Sequence, residues 1–200
     1  MGMESQVNPA GYRHYMEVTS ERLVLRPFQF SDIDHVHVYA SDPAVCFFTD
    51  WGPNSIEDTR AFVSEAVASG APLNVAITLA KDLLGASGTV AAGTVIGGLS
   101  AFGALRGPVD ENPTVRELGW VVRRDLWGQR IATEAVRTFL EYLVTEHGIV
   151  EFTARCRPQN RASSRVMEHV GMTYVERIPG DVIVRGEPAD SEIYRLVIPR

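Results

Sequence analysis

A four-residue turn, Trp127-Gly128-Gln129-Arg130, has the composition of an anion-binding site. It follows a segment rich in strand-forming residues, Glu117 to Val122, and precedes a segment with helical periodicity. The start of a helix leaves about four backbone N–H groups without intrahelical partners, and the helix dipole adds positive charge there. No Ser, Thr, Asn or Asp adjoins Gly128 or Gln129 to cap these groups. A phosphate or pyrophosphate would satisfy them; the alternatives are water, or a cap from Asp125 on an earlier helix start.

Positive charge is concentrated around this turn. Between Arg116 and Arg165 the chain has nine arginines and six carboxylates, a net charge of +3, whereas the remainder carries −9. Arg123, Arg124 and Arg130 are expected to lie nearest to the anion. An acidic remainder suits a cationic acceptor and argues against general nucleic-acid binding, although chance scatter of charges is the alternative explanation.

The whole chain has the composition of one globular domain. It has 200 residues, of which 45% are hydrophobic and 22% charged, enough for a substantial core. No stretch approaches the roughly 20 apolar residues of a membrane span, and the first residues lack the apolar segment of a secretory signal. Cys46 and Cys156 are far apart and form no C-x-x-C pair, so we expect reduced thiols and a cytoplasmic location.

Hydrophobic patterning predicts the elements that would position the turn. Residues 1–18 are expected to form an N-terminal arm and residues 19–200 one domain. The fold class is α+β, a mainly antiparallel central sheet with helices on both faces. Capping boxes begin two helices, at Ser31/Asp34 and Ser55/Asp58, and the final hairpin has a long tip. The predicted strands cover residues 21–28, 73–80, 93–102, 117–122, 150–157, 172–178 and 191–198; the predicted helices lie within 31–40, 55–70, 131–148 and 160–171.

Two common nucleotide-binding motifs are absent from the sequence. No G-x-x-x-x-G-K-[ST] segment occurs, which excludes a P-loop, and no G-x-G-x-x-G follows a predicted strand. The glycine-rich segment at residues 93–103 is interpreted as a bulged strand and not as a dinucleotide site.

The segment ELGWVVRRDLWGQRIATEAVRTFLEYL, residues 117–143, resembles the acyl-coenzyme A binding core of the GNAT N-acetyltransferases. The segments ERLVLRPF, FTDWGPNSIEDTRAFV and RPQNRASSRVMEHVGM lie in the order typical of that family, so the resemblance covers about residues 19–198. Within the family, the chain is most similar to the ribosomal-protein N-terminal acetyltransferases and their small-molecule relatives.

The resemblance implies transfer of the acetyl group of acetyl-CoA to a primary amine of a protein N-terminus or of a small cationic molecule. It implies that the pantetheine arm lies along the strand at Trp120, Val121 and Val122, and that Asn160 contacts it. Backbone N–H groups of the turn and the first helical residues would hold the pyrophosphate: Gly128, Gln129, Arg130, Ile131, Ala132 and Thr133.

Arg130 stands where the family signature has its central glycine. If the backbone there is left-handed, an arginine is costly; if it is helical, the arginine adds a charge-assisted contact to the pyrophosphate. We expect the helical backbone.

Acetyl transfer to an amine requires a base that removes a proton from an ammonium and a donor for the departing thiolate. Glu117 is the candidate base, since strand alternation places it on the face opposite Trp120; the alternative is a cross-strand pair with an arginine. Ser163 is the candidate acid, because the position where family members often carry a tyrosine is Met167. The alternative role of Ser163 is helix capping.

Trp51 is expected to shape the acceptor pocket, with a core anchor as the alternative. His35 and His37 lack a third ligand at metal spacing, so we expect no metal. We expect no membrane partner and no specific nucleic acid, and a homodimer is one assembly that the chain could form. Two rival functions stay open: a non-catalytic coenzyme A binding or sensor module, and an RNA- or ribosome-associated protein that uses the arginine-rich segment.

Overall fold

The computed structural model describes residues 17–69, 73–103 and 114–199. An eight-stranded sheet, ordered β1-β2-β3-β6-β7-β8-β10-β9, forms its centre, and β4 and β5 form a separate hairpin. Within the described chain every pairing in the sheet is antiparallel except β7–β8. The strands are β1 Val18–Thr19, β2 Leu23–Pro27, β3 Asn74–Leu79, β4 Leu83–Gly85, β5 Gly88–Val90, β6 Val95–Phe102, β7 Val115–Val122, β8 Glu151–Cys156, β9 Thr173–Val184 and β10 Glu187–Val197.

Helices cover both faces of the sheet. One core packs around α3 and α4 and includes Phe139, Phe152 and Met167; the other packs around α1 and α2 and includes Val36 and Val63. The helices are α1 Ile33–Ala40, α2 Ile56–Ser69, α3 Ile131–His147 and α4 Arg161–His169. This arrangement confirms the predicted α+β class. The predicted arm, residues 1–18, lies outside the described residues except for residues 17 and 18, and Val18 already pairs with Leu25.

The periodicity of α3 has the expected cause. Its apolar positions at Ala135, Val136, Phe139, Leu140 and Leu143 are all buried against the sheet. The helix ends where predicted, because Gly148 adopts a left-handed backbone (φ 64°) that stops helical hydrogen bonding.

Of the two predicted capping boxes, one is confirmed. The Ser55 N–H donates to the Asp58 carboxylate at 2.9 Å, and the Asp58 N–H donates to Ser55 Oγ at 3.1 Å. The prediction of a capping box at Ser31 and Asp34 is wrong. The preceding carboxylate, Asp32, accepts from the Gln29 N–H at 2.8 Å, because its ion pair with Arg26 fixes it there.

The predicted long tip of the last hairpin is also wrong. β9 and β10 continue to a two-residue turn in which Arg185 (φ 51°) and Gly186 (φ 87°) both have positive φ, as a type I′ turn requires. Two shifts of register absorb the irregular sequence that suggested a loop. The Arg185 guanidinium donates to the Cys46 carbonyl at 2.9 Å, so the hairpin tip contacts the 3₁₀ turn Val45–Phe48 between α1 and α2.

The glycine-rich strand β6 carries the bulge that its sequence predicts. Its pairing with β3 shifts between Ile77–Gly97 and Thr78–Val95, which leaves Ile96 as the extra residue. The segment before it, where the sequence predicts no strand, contains the β4–β5 hairpin. The Ala86 N–H of this hairpin donates to the Asp125 carbonyl at 2.8 Å, so the hairpin contacts the segment that leads into α3.

Candidate active site

The start of α3 has no side-chain cap. The first intrahelical hydrogen bond runs from the Glu134 N–H to the Arg130 carbonyl at 3.1 Å, which leaves the N–H groups of Ile131, Ala132 and Thr133 without intrahelical partners. Asp125, the alternative cap, lies in an earlier 3₁₀ turn. The uncapped helix start predicted from the sequence is therefore present.

The helical backbone expected at Arg130 is wrong. Arg130 adopts a left-handed conformation, with φ 60° and ψ 19°, at the N-cap of α3. Such a backbone costs a residue with a side chain about 1–2 kcal/mol, which explains why a glycine is favoured at this position. Gly128 also has a positive φ of 79°, and a Cβ there would meet no atom within 4 Å. Gly128 is therefore favoured because of its positive φ, and not because a side chain would clash with a neighbouring atom.

An ion pair between Arg22 and Glu134, which the sequence did not predict, stabilises the turn on the side away from the cavity. Glu134 accepts from Ser20 Oγ at 2.7 Å, from the Arg22 N–H at 2.9 Å and from Arg22 Nε at 2.6 Å. Arg22 also donates to the Gln129 carbonyl at 3.1 Å. Burial alone would raise the pKa of Glu134, but these hydrogen bonds and the charge of Arg22 outweigh it and lower the pKa. Because residues 20–22 and 134 are distant in sequence, no local pattern indicates this cluster.

Two of the three arginines expected to serve an anion are paired with carboxylates. Arg123 donates two hydrogen bonds to the two carboxylate oxygens of Asp125, at 2.6 and 2.8 Å. Arg124 forms an ion pair with Asp42 at 2.9 Å. The sequence did not predict that Arg123 and Arg124 form these ion pairs, which offset part of the positive charge expected near the turn. Arg130 is exposed and lines the cavity in front of the turn.

The parallel strands β7 and β8 separate beside this turn. Their ladder runs from Val115–Glu151 to Leu118–Ala154 and stops, although both strands continue. The Arg123 N–H donates to the Ile96 carbonyl of β6, so by alternation the backbone groups of Trp120 and Val122 point the other way, into the gap. The Val122 carbonyl accepts from the Trp127 indole at 2.8 Å. The gap thus presents strand backbone from Trp120 to whatever occupies it.

The gap belongs to a cavity of about 1890 Å³, larger than the roughly 300–1,000 Å³ typical of a site for one small ligand. It has room for two substrates, and the residues predicted for coenzyme binding converge on it with one exception. Gln129 does not line it, because its side chain donates to the Leu84 carbonyl at 2.9 Å. The residues that do are Trp120, Val121, Val122, Gly128, Arg130, Ile131, Ala132, Thr133 and Asn160.

Asn160 and Ser163 lie where β8 leads into α4, on the wall of the same cavity. The Asn160 carboxamide oxygen caps α4 by accepting from the Ser163 N–H at 3.2 Å, so Asn160 does the capping and the Ser163 hydroxyl remains available to the cavity. Met167 is fully buried and has no proton to donate. Cys156 also lines the cavity, and burial raises the pKa of its thiol to about 11, which keeps it protonated at neutral pH.

Glu117 lies in the cavity wall and forms the cross-strand pair that was its alternative role. Arg155, on β8, contacts both carboxylate oxygens of Glu117, at 2.6 and 2.7 Å, and Asp181 at 2.7 Å. Burial alone would lower the pKa of Arg155, but the two carboxylates raise it, so the guanidinium stays charged. The cluster Glu117–Arg155–Asp181 therefore carries one excess negative charge.

The other end of the cavity lies on the α1–α2 face of the sheet. Trp51 lines it and is 39% exposed, so it is not a core anchor; its role in an acceptor pocket stays a prediction. Phe102, cross-strand from Glu117, was not predicted; a Cβ on Gly119 would lie 3.1 Å from its ring. Phe47 and Phe62 complete this aromatic wall. Exposed aromatics from separate elements leave no periodic signal in a sequence.

The two histidines of α1 form structural hydrogen bonds. His37 Nδ1 lies 3.0 Å from Thr59 Oγ1 of α2, and His35 Nδ1 accepts from the Val95 N–H at 3.4 Å. Among the described residues no group of three or more metal-ligating side chains is found. In the same part of the chain, no helix has both the length and the apolar composition needed to cross a membrane.

A parallel strand pair that opens beside an uncapped helix start, within a mainly antiparallel sheet covered by helices on both faces, is the arrangement of a GNAT-type acetyltransferase. The sequence matches the family described as Acetyltransferase (GNAT) domain over residues 22–173, most of the chain, and the protein belongs to that family.

Individual relatives agree with this assignment. The chain is 29% identical to the uncharacterized N-acetyltransferase YnaD of Bacillus subtilis over 157 residues, 78% of this chain and 82% of YnaD. Among solved structures it is similar to a GNAT-family acetyltransferase from Bacillus anthracis, with 26% identity, a TM-score of 0.76 and coverage of 91% of this chain and 98% of that one. RimL, a ribosomal L7/L12 α-N-protein acetyltransferase solved with coenzyme A, shares the fold with a TM-score of 0.73 at 18% identity, over 92% and 98% of the two chains.

Proposed function

We propose that this acetyltransferase moves the acetyl group of acetyl-CoA to a primary amine, carried by a small cationic molecule or a protein N-terminus. The observation that carries the proposal is the opening of β7 and β8, after Leu118 and Ala154, directly beside the uncapped start of α3. One cavity joins these two features to a carboxylate cluster and to a separate aromatic wall. We also infer a cytoplasmic location, because both cysteines are buried free thiols.

The donor half of the cavity suits the coenzyme in two places. The N–H groups of Ile131, Ala132 and Thr133 point out of the helix start, where the dipole favours a pyrophosphate. The backbone of Trp120 faces the gap, so an amide-bearing pantetheine arm can hydrogen-bond to β7 in the way a neighbouring strand would. Asn160 and Gly128 border this path, and Arg130 lies close enough to add a charge.

Glu117 is the proposed base. The bound ammonium first gives one proton to Glu117, directly or through a water, while Arg155 holds both carboxylate oxygens in a fixed orientation. The neutral amine nitrogen then forms a bond to the acetyl carbon, the carbon–sulfur bond breaks, and the second nitrogen proton is released as the departing sulfur is protonated. The excess negative charge of the cluster attracts the ammonium form of the acceptor before it reacts.

Ser163 is the proposed proton donor for the thiolate that leaves. Its N–H is committed to the Asn160 cap, which fixes the residue, and it lines the cavity between α4 and the gap. The hydroxyl can pass a proton from water to sulfur, so we expect Ser163→Ala to lower kcat only modestly because water can replace it.

Release of free thiol from acetyl-CoA, measured with a broad panel of amines and peptides, tests the proposal. Acetylated product identified by mass spectrometry is expected for at least one amine. Tight coenzyme A binding without turnover across the whole panel would contradict it and would favour the non-catalytic module. The ribosome-associated alternative instead predicts strong, salt-dependent RNA binding.

A further inference from the structure

The acceptor half of the cavity has an unusual wall. Phe47 is 60% exposed, Phe102 53%, Trp51 39% and Phe62 38%. They come from the α1–α2 connection, from β6 and from α2, yet all of them border the same cavity. Large aromatic side chains that stay accessible and converge on one concave site mark a surface that an apolar ligand covers.

Charge in this half is negative. Among the described residues, four carboxylates line this half or bind a residue that does, Asp50, Glu65, Glu117 and Asp181, whereas two arginines line it, Arg155 and Arg157. Arg130 and Arg165 line the cavity on the donor side, at the start of α3 and on α4. Arg155 is neutralised by two of these carboxylates, and Arg157 donates to Ser191 Oγ at 3.0 Å. Even with Arg185, whose guanidinium binds the Cys46 carbonyl at the rim, the carboxylates remain in the majority. A substrate with its own carboxylate or phosphate would meet repulsion here.

Several hydroxyl and carboxylate groups on this wall are already bonded within the protein. Ser100 Oγ is already bonded to the Asn74 carboxamide at 3.0 Å, and the Glu117 oxygens are bonded to Arg155. A sugar amine would leave hydroxyl groups unpaired against the aromatic rings, which disfavours it. A polyamine is attracted by the same carboxylates as any other amine, so the substrate series includes one.

From these observations we propose that the acceptor is a small primary amine whose body is apolar, either aromatic or branched aliphatic, and carries no acidic group. This inference rests on the proposed acetyl transfer and narrows its substrate class. The ammonium is drawn toward Glu117 and its neighbours, while the aromatic wall of Phe47, Trp51 and Phe102 covers the apolar body.

A substrate series tests the proposal on the full chain. Phenethylamine, L-phenylalanine amide and L-phenylalanine share one body and differ at the carbon next to the amine; spermidine, kanamycin and a serine-initiated hexapeptide supply the other chemistries. We expect kcat/KM for phenethylamine to exceed that for L-phenylalanine by at least tenfold, with the amide between them, and to exceed that of spermidine, kanamycin and the peptide.

A matched pair of variants tests the wall itself. Phe47 and Phe30 both lie in 3₁₀ turns and are both 60% exposed, but only Phe47 borders the cavity. Phe47→Ala should raise KM for phenethylamine about tenfold, equivalent to 1.4 kcal/mol. Phe30→Ala should leave it unchanged, and coenzyme A affinity should be the same in both.

The outcomes distinguish the apolar-amine proposal from the proposed acetyl transfer. Preferred acetylation of the peptide, spermidine or kanamycin would overturn the apolar-amine proposal and leave acetyl transfer standing. Equal kcat/KM for phenethylamine and L-phenylalanine, or equal effects of the two substitutions, would also overturn it. No turnover of any compound, despite coenzyme A binding, would instead contradict the proposed function.

Discussion

Arg130 has a backbone conformation that disfavours folding and a side chain that is expected to favour anion binding. Its left-handed conformation is unfavourable for any residue with a Cβ, while its guanidinium faces the cavity where a pyrophosphate is proposed. Arg130→Gly and Arg130→Ala both remove the charge, but only glycine relieves the backbone.

We therefore expect both variants to weaken coenzyme A binding by up to about tenfold, the equivalent of 1.4 kcal/mol. Arg130→Gly should have a free energy of unfolding about 1 kcal/mol above that of Arg130→Ala. Calorimetry with coenzyme A and with pantetheine, which lacks the pyrophosphate, measures the first effect; urea unfolding measures the second. Arg185, the other left-handed arginine of the described chain, gives the control: Arg185→Gly and Arg185→Ala both lose the contact with the Cys46 carbonyl, so their difference isolates the backbone effect. Equal loss of affinity for coenzyme A and pantetheine would show that Arg130 does not act on the anion.

Glu117 is expected to control the chemical step. Glu117→Gln keeps the shape and can still accept from Arg155, but it cannot take a proton. We predict a fall in kcat of about 10²–10⁴-fold near neutral pH, with coenzyme A affinity nearly unchanged. Glu151→Gln, which alters another carboxylate–arginine pair of the sheet outside the cavity, should leave kcat unchanged.

The pH profile of kcat distinguishes a base from a structural anchor. Loss of the base should remove the acidic limb of the profile, whereas loss of an anchor for Arg155 should scale the whole profile down. A fall in kcat of less than about threefold would remove Glu117 from the role of base.

At the scale of elements, the connection between β7 and α3 depends on the Glu134 cluster. Burial opposes ionisation of Glu134, yet the hydrogen bonds from Ser20 and Arg22 lower its pKa below the ordinary value of 4.5. A carboxyl whose pKa is lower in the folded state stabilises the fold above its unfolded-state pKa, and this contribution is lost as the pH falls through the folded-state pKa.

We predict that Glu134→Gln lowers the free energy of unfolding at pH 7 by about 1.5–3 kcal/mol, the range for hydrogen bonds to a charged group. The difference from the unmodified chain should shrink below pH 4.5 and vanish at the most acidic pH. Urea unfolding between pH 3 and 7 measures it, with Glu141→Gln on the exposed side of the same helix as control. A difference that does not change with pH would contradict the electrostatic explanation.

The elements differ in how far the sequence predicts them. The run from β7 through the turn into α3 is predicted well, because strand alternation, a missing cap and a 3.6-residue period are all local properties. The left-handed backbone at Arg130 is not predicted, because an arginine gives no local indication of positive φ; the glycine of the family signature at this position is the signal that could have found it. The partners of Glu117 and Glu134 come from residues 155, 181, 20 and 22, and only the folded sheet brings them together. The prediction of a long hairpin tip is wrong because the register shifts between β9 and β10 hide the alternation of apolar and polar residues.

At the scale of the whole molecule, coenzyme A binding should raise the free energy of unfolding. Coenzyme A that binds only the folded state at 100 times its Kd adds about 2.7 kcal/mol to the free energy of unfolding. For a domain of this size, that corresponds to a rise in Tm of about 5–10 °C. Thermal unfolding with and without coenzyme A measures it. A thermal curve unchanged by saturating coenzyme A would contradict the proposed donor site.

The contact between Arg185 and the Cys46 carbonyl links residues 139 positions apart. The residues of the described chain that line the cavity lie between 28 and 169, so the hairpin tip lines none of it and contacts the 3₁₀ turn that carries Phe47. Arg185 therefore acts as a tether: we expect its loss to loosen one edge of the aromatic wall while the residues that meet a ligand stay the same.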